Sequence, residues 1–402
     1  MLSVAEAETL ILESVQAIGE IERVGLAECR DRILAAPIAS KLDFPHWDNS
    51  AMDGYAVRFE DVKQPAILEI VEEIPAGYLP QKTIQPGQAA RILTGSMMPA
   101  GADTVVMQEN TQRQGDRVSI LTPPPTQGSF VRYRGSYYQA GSALLSPGVV
   151  LKAPEIAILA AAQCVEVPVF RRLRVAILST GSELVTPDQP LQPGQIVDSN
   201  QYALEALVAE MGAEVISLGI IRDDPAELKN AIATAVDSAD VVISSGGVSV
   251  GDYDYVDRIL EELGAAIQIR SVAVKPGKPL TFATFPNSTL YFGLPGNPAS
   301  VLVTFWRFAQ PAIRKLSGLA QGWQPEFLSA IATQELKSDG KREFYLWGSV
   351  SIADGALHFT PAGGSRLSGN LINLAGTNAL GKMSIGQTHL SPGEIIQVLR
   401  VS

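Results

Sequence analysis

The densest chemical signal in the 402-residue chain is the segment 241–254, VVISSGGVSVGDYD. An apolar run enters Ser245, Gly246 and Gly247, passes Ser249, Gly251, Asp252 and Asp254, and leads into an amphipathic stretch. In open α/β sheets, ligands sit outside the carboxyl ends of strands, where glycines let backbone N–H groups approach a phosphate and a helix start adds positive potential. The spacing is neither GxGxxG nor a Walker loop, so ordinary dinucleotide and ATPase readings lose support. A plain Gly-Gly turn is the alternative, and the neighbours weigh against it. Residues 275–279, KPGKP, place Lys275 and Lys278 on a stiffened loop. In an acidic protein that suggests a phosphate clamp, with a solvated basic turn as the bland reading. Residues 294–300, LPGNPAS, end a strand at Pro295 and Gly296, offer Asn297 as N-cap, and put Pro298 and Ser300 in a first helical turn. This makes a second helix start able to receive an anion, although capping alone would also produce it.

Carboxylates recur at loop positions. They include Asp53 in DNSAMDGYA (48–56), Glu183 in STGSEL (179–184), Asp223, Asp224, Asp252 and Asp254. Hard oxygen ligands beside phosphates suit Mg²⁺, which takes one or two carboxylates and completes its octahedron with water and phosphate oxygens. Asp224 before Pro225, and Asp252, can be helix caps. Capping explains Asp53, Glu183, Asp223 and Asp254 less well, and Glu183, Asp223 and Asp254 are the expected metal ligands. Thr94 brings a hydroxyl to a strand end beside Gly95 in RILTGSMMP (91–99), where Met97 and Met98 read as packing. His46 and His358 are isolated, and no nucleophile-base pair stands out, so positioning and electrostatics would carry any catalysis.

The elements that must hold these groups are best marked between residues 174 and 318. Apolar runs at 175–178, 215–220, 240–244 and 266–274 read as strands of a parallel sheet. Between them, Leu204, Leu207, Val208 and Met211 share one helical face, as do Leu228, Ala231, Ile232 and Ala235, and again Val256, Ile259, Leu260 and Leu263. Three such units imply crossovers with helices on both sheet faces. Earlier in the chain, Leu10, Ile11, Ser14, Val15 and Ile18 recur as a helical stripe, 66–71, 90–94 and 104–108 as short strands, and 154–164 as a helix. Runs at 344–350 and 395–401 predict a β-barrel or sandwich. The expected fold is a multidomain α/β plus β protein with a central Rossmann-like open α/β domain. Its divisions are 1–44 with 141–172 (helical, linking), 45–140 (mostly β), 173–320 (α/β) and 321–402 (C-terminal β).

At 402 residues two to four domains are expected, and 46% hydrophobic against 18% charged residues marks a packed protein. A net charge of -11 opposes general attraction to nucleic acid or anionic lipid, so neither is an expected partner. Cys29 and Cys164 form no CxxC pair and accompany three histidines, which excludes a zinc-site pattern. Glu6, Glu8 and Glu13 are the wrong chemistry for a signal peptide, and no apolar run approaches a membrane span. A cytoplasmic protein with reduced thiols is expected.

DNSAMDGYA, TGSMMPAGADTVV, STGSEL, SGGVSVGD, KPGKP and LPGNP occur in that order over about residues 40–310. Together they closely resemble the MoeA-like molybdopterin molybdenumtransferase family, which includes the gephyrin E domain. The resemblance implies an elongated four-domain homodimer, with active sites where the α/β domain of one subunit faces the other. It implies Mg²⁺, with molybdate and adenylylated molybdopterin as substrates and AMP as a product. Carried over by motif, Asp53, Thr94, Glu183, Asp223, Asp254, Lys275 and Lys278 fall on active-site positions. Ser245, Gly246, Gly247, Ser249, Gly251, Pro295, Gly296, Asn297 and Ser300 fall on the molybdopterin-binding loops. Two departures stand out. Arg134 is followed by Gly135, Ser136 and Tyr137 where the family has Gly-Glu-Asp, and Ser182 replaces the aspartate of STGDEL. Besides the transferase, the alternatives are the related molybdopterin adenylyltransferase, itself a candidate partner, and a non-catalytic pterin-binding or scaffolding homologue.

Overall fold

The structure is a computed structural model that describes residues 1–247, 255–364 and 367–401. The chain divides into two compact units, one of Met1–Ala36, Pro147–Ala153 and Glu166–Ser402, the other of Pro37–Ser146 and Pro154–Val165. Among the described residues no helix is long and apolar enough to cross a membrane.

The unit of Pro37–Ser146 and Pro154–Val165 is built on a six-stranded sheet. Its strand order is Thr104–Met107, Gly54–Val57, Gln88–Ile92, Ala66–Ile74, Arg117–Ile120 and Thr111–Gln114. Only the pair Ala66–Ile74 and Gln88–Ile92 is parallel. Both faces are covered: Tyr55, Val57, Leu68, Val106 and Val118 form one apolar cluster, while Ala56, Ile74, Ala90, Ile92 and Val105 form another. Burial on both faces is why Gly54–Val57 has no polar alternation, and why it reads as a continuous apolar run.

The other unit opens with helix Val4–Glu13, started by a capping box in which Ser3 Oγ accepts the Glu6 N–H and Glu6 accepts the Ser3 N–H. That cap sets the register. Val4, Ala7 and Ile11 face the core, and Leu10, expected on the buried stripe, is 38% exposed. The helix also ends earlier than the stripe implied, so Val15 and Ile18 reach the core from beyond it.

The central sheet contains β1 (Arg174–Thr180), β2 (Glu214–Ile221), β3 (Val241–Ser245), β4 (Ala266–Ser271), β5 (Pro279–Thr284) and β6 (Leu290–Leu294), in spatial order β2-β1-β3-β6-β5-β4. Helices α1 (Asn200–Glu210), α2 (Pro225–Ser238) and α3 (Tyr255–Glu262) make the crossovers. The sheet is mixed where a parallel one was expected. Strand β5 runs against both of its neighbours, because the links from β4 and into β6 are too short for a crossover. Alternation along β1 divides the core: Val175 and Ile177 pack with Leu204 and Val208 of α1, while Ala176 and Leu178 pack with Leu228 and Ile232 of α2.

After β6 the chain enters α4 (Pro298–Thr304), a π-helical turn at Phe305–Ala309 and α5 (Gln310–Leu316). The strands β7 (Phe327–Ala332), β8 (Glu343–Ala353), β9 (Ala356–Pro361), β10 (Ala379–Met383) and β11 (Ile395–Arg400) then close a five-strand barrel in the order β8-β9-β7-β11-β10, with β10 returning to β8. Its interior holds Leu346, Phe359, Met383, Ile396 and Val398. The two-residue strand Val274–Lys275 adds to β8 in parallel.

A buried polar chain joins helix, π-turn and barrel. Arg307, 4% exposed, donates Nε–H to Tyr345 Oη at 2.9 Å and Nη2–H to Glu8 Oε2 at 2.6 Å, and Tyr345 donates onward to Glu343. Removing one side of a buried ion pair strands the other charge. Glu8→Ala is therefore expected to lower the unfolding free energy by roughly 2–4 kcal/mol in urea denaturation. A loss below about 0.5 kcal/mol would reduce the pair to the rank of a surface bridge.

Candidate active site

The chemistry-bearing loops of the α/β unit meet at the carboxyl ends of β1, β2, β3 and β6, as an open α/β sheet requires. β3 ends at Ser245 and turns through Gly246 (φ 86°) and Gly247 (φ 66°), a conformation that glycine alone adopts freely. A Cβ at Gly246 would stand 2.4 Å from Thr180 O, so the turn packs directly on the end of β1. The Gly246 N–H donates to Leu294 O at 3.1 Å, which ties the turn to the end of β6. This bond engages the Gly246 N–H within the protein, while the neighbouring Gly247 is exposed. The last residue of β3, Ser245, is buried at 2%, its Oγ 3.0 Å from Ser179 Oγ. Its hydroxyl braces β1 against β3.

From the end of β6, Pro295 and Gly296 lead into Asn297, which is the N-cap of α4 by backbone position but makes no side-chain capping bond. Capping alone therefore does not account for this asparagine. The Ala299 N–H already donates to Ser368 O at 3.0 Å, and Ser300 is buried at 4% in the helix, so the helix start is less open than its sequence implied. Asn200, at the start of α1, donates its side-chain amide to Gly296 O at 2.8 Å and clips two loops of the site together. Asp198 caps the same helix start by accepting the Asn200 and Gln201 N–H groups.

Glu183 and Asp223 follow the ends of β1 and β2, and both are exposed. Ser182 joins their loops by a reciprocal pair: the Ser182 N–H donates to Asp223 Oδ2 at 3.0 Å, and the Asp223 N–H donates to Ser182 Oγ at 3.2 Å. The adjacent Asp224 caps α2, accepting from Ala226 and Glu227 at 2.9 Å each, which is the structural alternative weighed for it. Among the described residues no three His, Cys, Asp or Glu side chains group as a metal cage. Asp254, with Ser249, Gly251 and Asp252, lies outside the described residues.

The two lysines differ. Lys275 donates to Asp339 Oδ2 at 2.9 Å and lies over the Phe344 ring, because its strand pairs with β8 and turns the side chain onto the barrel. That salt bridge holds the Asp339 carboxyl below its ordinary range. Lys275 is thus engaged where a phosphate clamp was expected. Lys278 is exposed, on a loop so close to α4 that a Cβ at Gly277 would meet Thr304 at 2.4 Å.

In the other unit, Asp53 Oδ1 accepts both the Thr94 N–H at 2.7 Å and the Thr94 hydroxyl at 2.8 Å. These bonds, backbone first, with Arg91 nearby, hold the Asp53 carboxyl below the usual carboxylate range. Arg91 donates to Gly54 O and to Gln108, fixing the same loop. The Arg134 loop is equally built: Arg134 pairs with Asp43 at 2.7 Å, its N–H donates to Asp48, and Tyr137 donates its N–H to Phe44 O. The Gly135-Ser136-Tyr137 departure therefore sits in an ordered frame.

Comparison with known proteins covers nearly the whole chain. Residues 2–162 match the family described as "MoeA N-terminal region (domain I and II)", residues 176–315 the "probable molybdopterin binding domain", and residues 329–401 the "MoeA C-terminal region (domain IV)". A Nostoc protein named molybdopterin molybdenumtransferase is 60% identical over 411 aligned positions, covering 100% of this chain and 94% of the relative. A protein of that name from Haemophilus influenzae is 39% identical, with 86% of each chain covered. Among solved structures, the molybdopterin biosynthesis moeA protein of Pyrococcus horikoshii OT3 superposes with a TM-score of 0.85 at 29% identity over 100% of both chains.

Two outcomes are expected from this geometry. Gly246→Ala should weaken pterin-phosphate binding at least about tenfold, because the turn must move off Thr180; calorimetric affinity equal to wild type would show that the turn tolerates a side chain. For Asp53, whose folded pKa is depressed below 3.8, the Thr94 contact is complete above that value and is lost as pH falls through the lowered one. Thr94→Val keeps the N–H and removes the hydroxyl, so the Asp53 titration followed by carboxyl ¹³C NMR should move upward. An unmoved midpoint would assign the shift to the backbone donor alone.

Proposed function

The chain belongs to the molybdopterin molybdenumtransferase (MoeA) family, and from that premise we propose that it inserts molybdate into the dithiolene of adenylylated molybdopterin and releases AMP. The observation that carries this reading is the meeting of four strand ends in one edge, where the glycine turn on Thr180 adjoins the Ser182–Asp223 pair.

In this reading the Gly247 N–H and the exposed end of the Gly296–Asn297 loop receive phosphate oxygens, and Lys278 adds positive charge. The Ser182 bond fixes the direction of the Asp223 carboxylate. Water adds at phosphorus as the phosphoanhydride P–O bond breaks, releasing AMP and leaving the pterin monophosphate, while the two dithiolene sulfurs give up their protons and displace oxygen from molybdate, the second substrate, as water. Positioning and preorganised charge supply the acceleration, since the described residues of the site offer no nucleophile-base pair. Glu183 and Asp223 fit the one or two carboxylates that Mg²⁺ takes beside phosphates, and Asp254 is proposed as the third ligand. Bound there, Mg²⁺ would neutralise charge on the phosphate oxygens. Asp53 and Thr94 belong to the proposal as a second cluster. So do a homodimeric assembly, supply of substrate by an adenylyltransferase, and the division 1–44 with 141–172, 45–140, 173–320 and 321–402.

One observation favours a second reading. The acidic triplet expected after Arg134 is replaced within an ordered loop, as in a pterin-binding protein that has lost turnover. AMP release from adenylylated molybdopterin with Mg²⁺, measured with and without molybdate, separates the two. Molybdate-dependent release, lowered about 10²-fold by Asp223→Asn, is expected; binding without release would establish the non-catalytic reading.

A further inference from the structure

A cleft in the described structure lies away from the proposed active site. It measures about 750 Å³ and lies wholly within the α/β and barrel unit, lined by segments 30–33 and 170–173, the C-terminal turn of α1, and α5. Helix α1 connects the two places: it starts at Asn200, which holds Gly296 O in the candidate site, and its last residues, Ala209 and Glu210, line this cleft. The cleft thus stands at the amino end of β1, opposite the carboxyl edge that carries the glycine turn.

The lining is basic in a protein of net charge -11. Most of its cations are already engaged. Arg32 pairs with Glu22 and donates to Phe170 O, Arg171 pairs with Asp240 and Glu20, and Arg30 and Lys152 share Asp31. Arg172 donates to Gly212 O at 2.6 Å, two residues past the end of α1. Arg314 is the exception. It is partly buried on α5, lines the cleft, and its guanidinium has no hydrogen bond or ion pair among the described residues. Burial pushes its pKa down, as does the charge of Arg400, and the acid that offsets them, Glu326, is itself paired with Arg400 at 3.6 Å. A guanidinium taken partly out of water without an acceptor is unfavourable, and a planar fork of donors matches phosphate oxygens in pairs.

We propose that this cleft is a second anion site, separate from the active site, that takes a phosphomonoester of a small metabolite with its phosphate on Arg314. The volume exceeds that of a bare phosphate and lies in the range of small-molecule pockets. Ile33, Val150, Phe170 and Leu319 supply apolar wall for the organic part.

The test is isothermal titration of the full-length protein with ribose 5-phosphate, and with ribose and inorganic phosphate as separate arms. Wild type should bind ribose 5-phosphate, inorganic phosphate should compete, and ribose alone should not bind. Arg314→Gln should weaken binding at least tenfold while leaving AMP release unchanged, and Lys278→Gln, which alters the active site, should leave this binding intact. Equal affinity in wild type and Arg314→Gln, or loss only in Lys278→Gln, overturns the proposal. A readout on wild type alone covers failure of a variant to fold. Hydrogen exchange at 209–213 and 310–317 should slow with ribose 5-phosphate, and absence of that protection also overturns it.

Discussion

The close approach of Gly246 to Thr180 is the constraint from which the rest of the site follows. A strand that ends against its neighbour with no room for a Cβ must turn there, and the turn must be glycine. Because the Gly246 N–H donates to Leu294 O, the turn is tied to β6 as well as to β1. Ser179 and Ser245 stiffen the same junction from inside the sheet. The start of the glycine turn is thereby held by both neighbouring strands, and donors held in place by the fold act more strongly on a developing charge than donors that must reorganise.

Rigidity at that edge depends in turn on the layers behind it. The two sheet faces are covered by different helices, so each strand contributes alternate residues to two apolar clusters. The Glu8–Arg307–Tyr345 chain adds direction to this packing: helix Val4–Glu13, the π-turn after α4 and strand β8 must each sit correctly for one buried guanidinium to find its acceptors. The helical run of α4, π-turn and α5 carries Thr304 against the Lys278 loop and Arg314 to the distant cleft. A single rod of chain from Pro298 to Leu316 therefore touches the candidate site, the barrel and the second cleft.

Much of this was legible in the sequence for a physical reason. Apolar periodicity reports which face is buried, and the α/β crossovers, the β-rich unit and the C-terminal barrel all leave such marks. Glycine at 246, proline at 298 and the Asp224-Pro225 cap are local rules that tertiary contacts did not overturn. What escaped was decided by partners far away in the chain. Lys275 reads as a free cation until β8 brings Asp339 to it, and Ser245 reads as a ligand contact until Ser179 is seen to claim it. The reversal of β5 was hidden for another reason: its residues are as apolar as those of its parallel neighbours, and only the shortness of its links betrays the direction. Leu10 was misplaced because the capping box at Ser3, not hydrophobicity, sets the phase of its helix.

The serine at position 182 shows how a motif can change while its local geometry persists. Whatever stands there must accept the Asp223 N–H, since that bond and its reciprocal hold the two strand-end loops together. A carboxylate and a hydroxyl can both accept it. They differ in charge: an aspartate would bring a third acid beside Glu183 and Asp223, whereas serine keeps the clamp and leaves two. Fewer charges hold a divalent cation less strongly, and they also repel anionic substrates less, with both effects scaling on the same Coulomb term. The serine therefore lowers the negative charge beside Glu183 and Asp223 while keeping the clamp between the loops that follow β1 and β2.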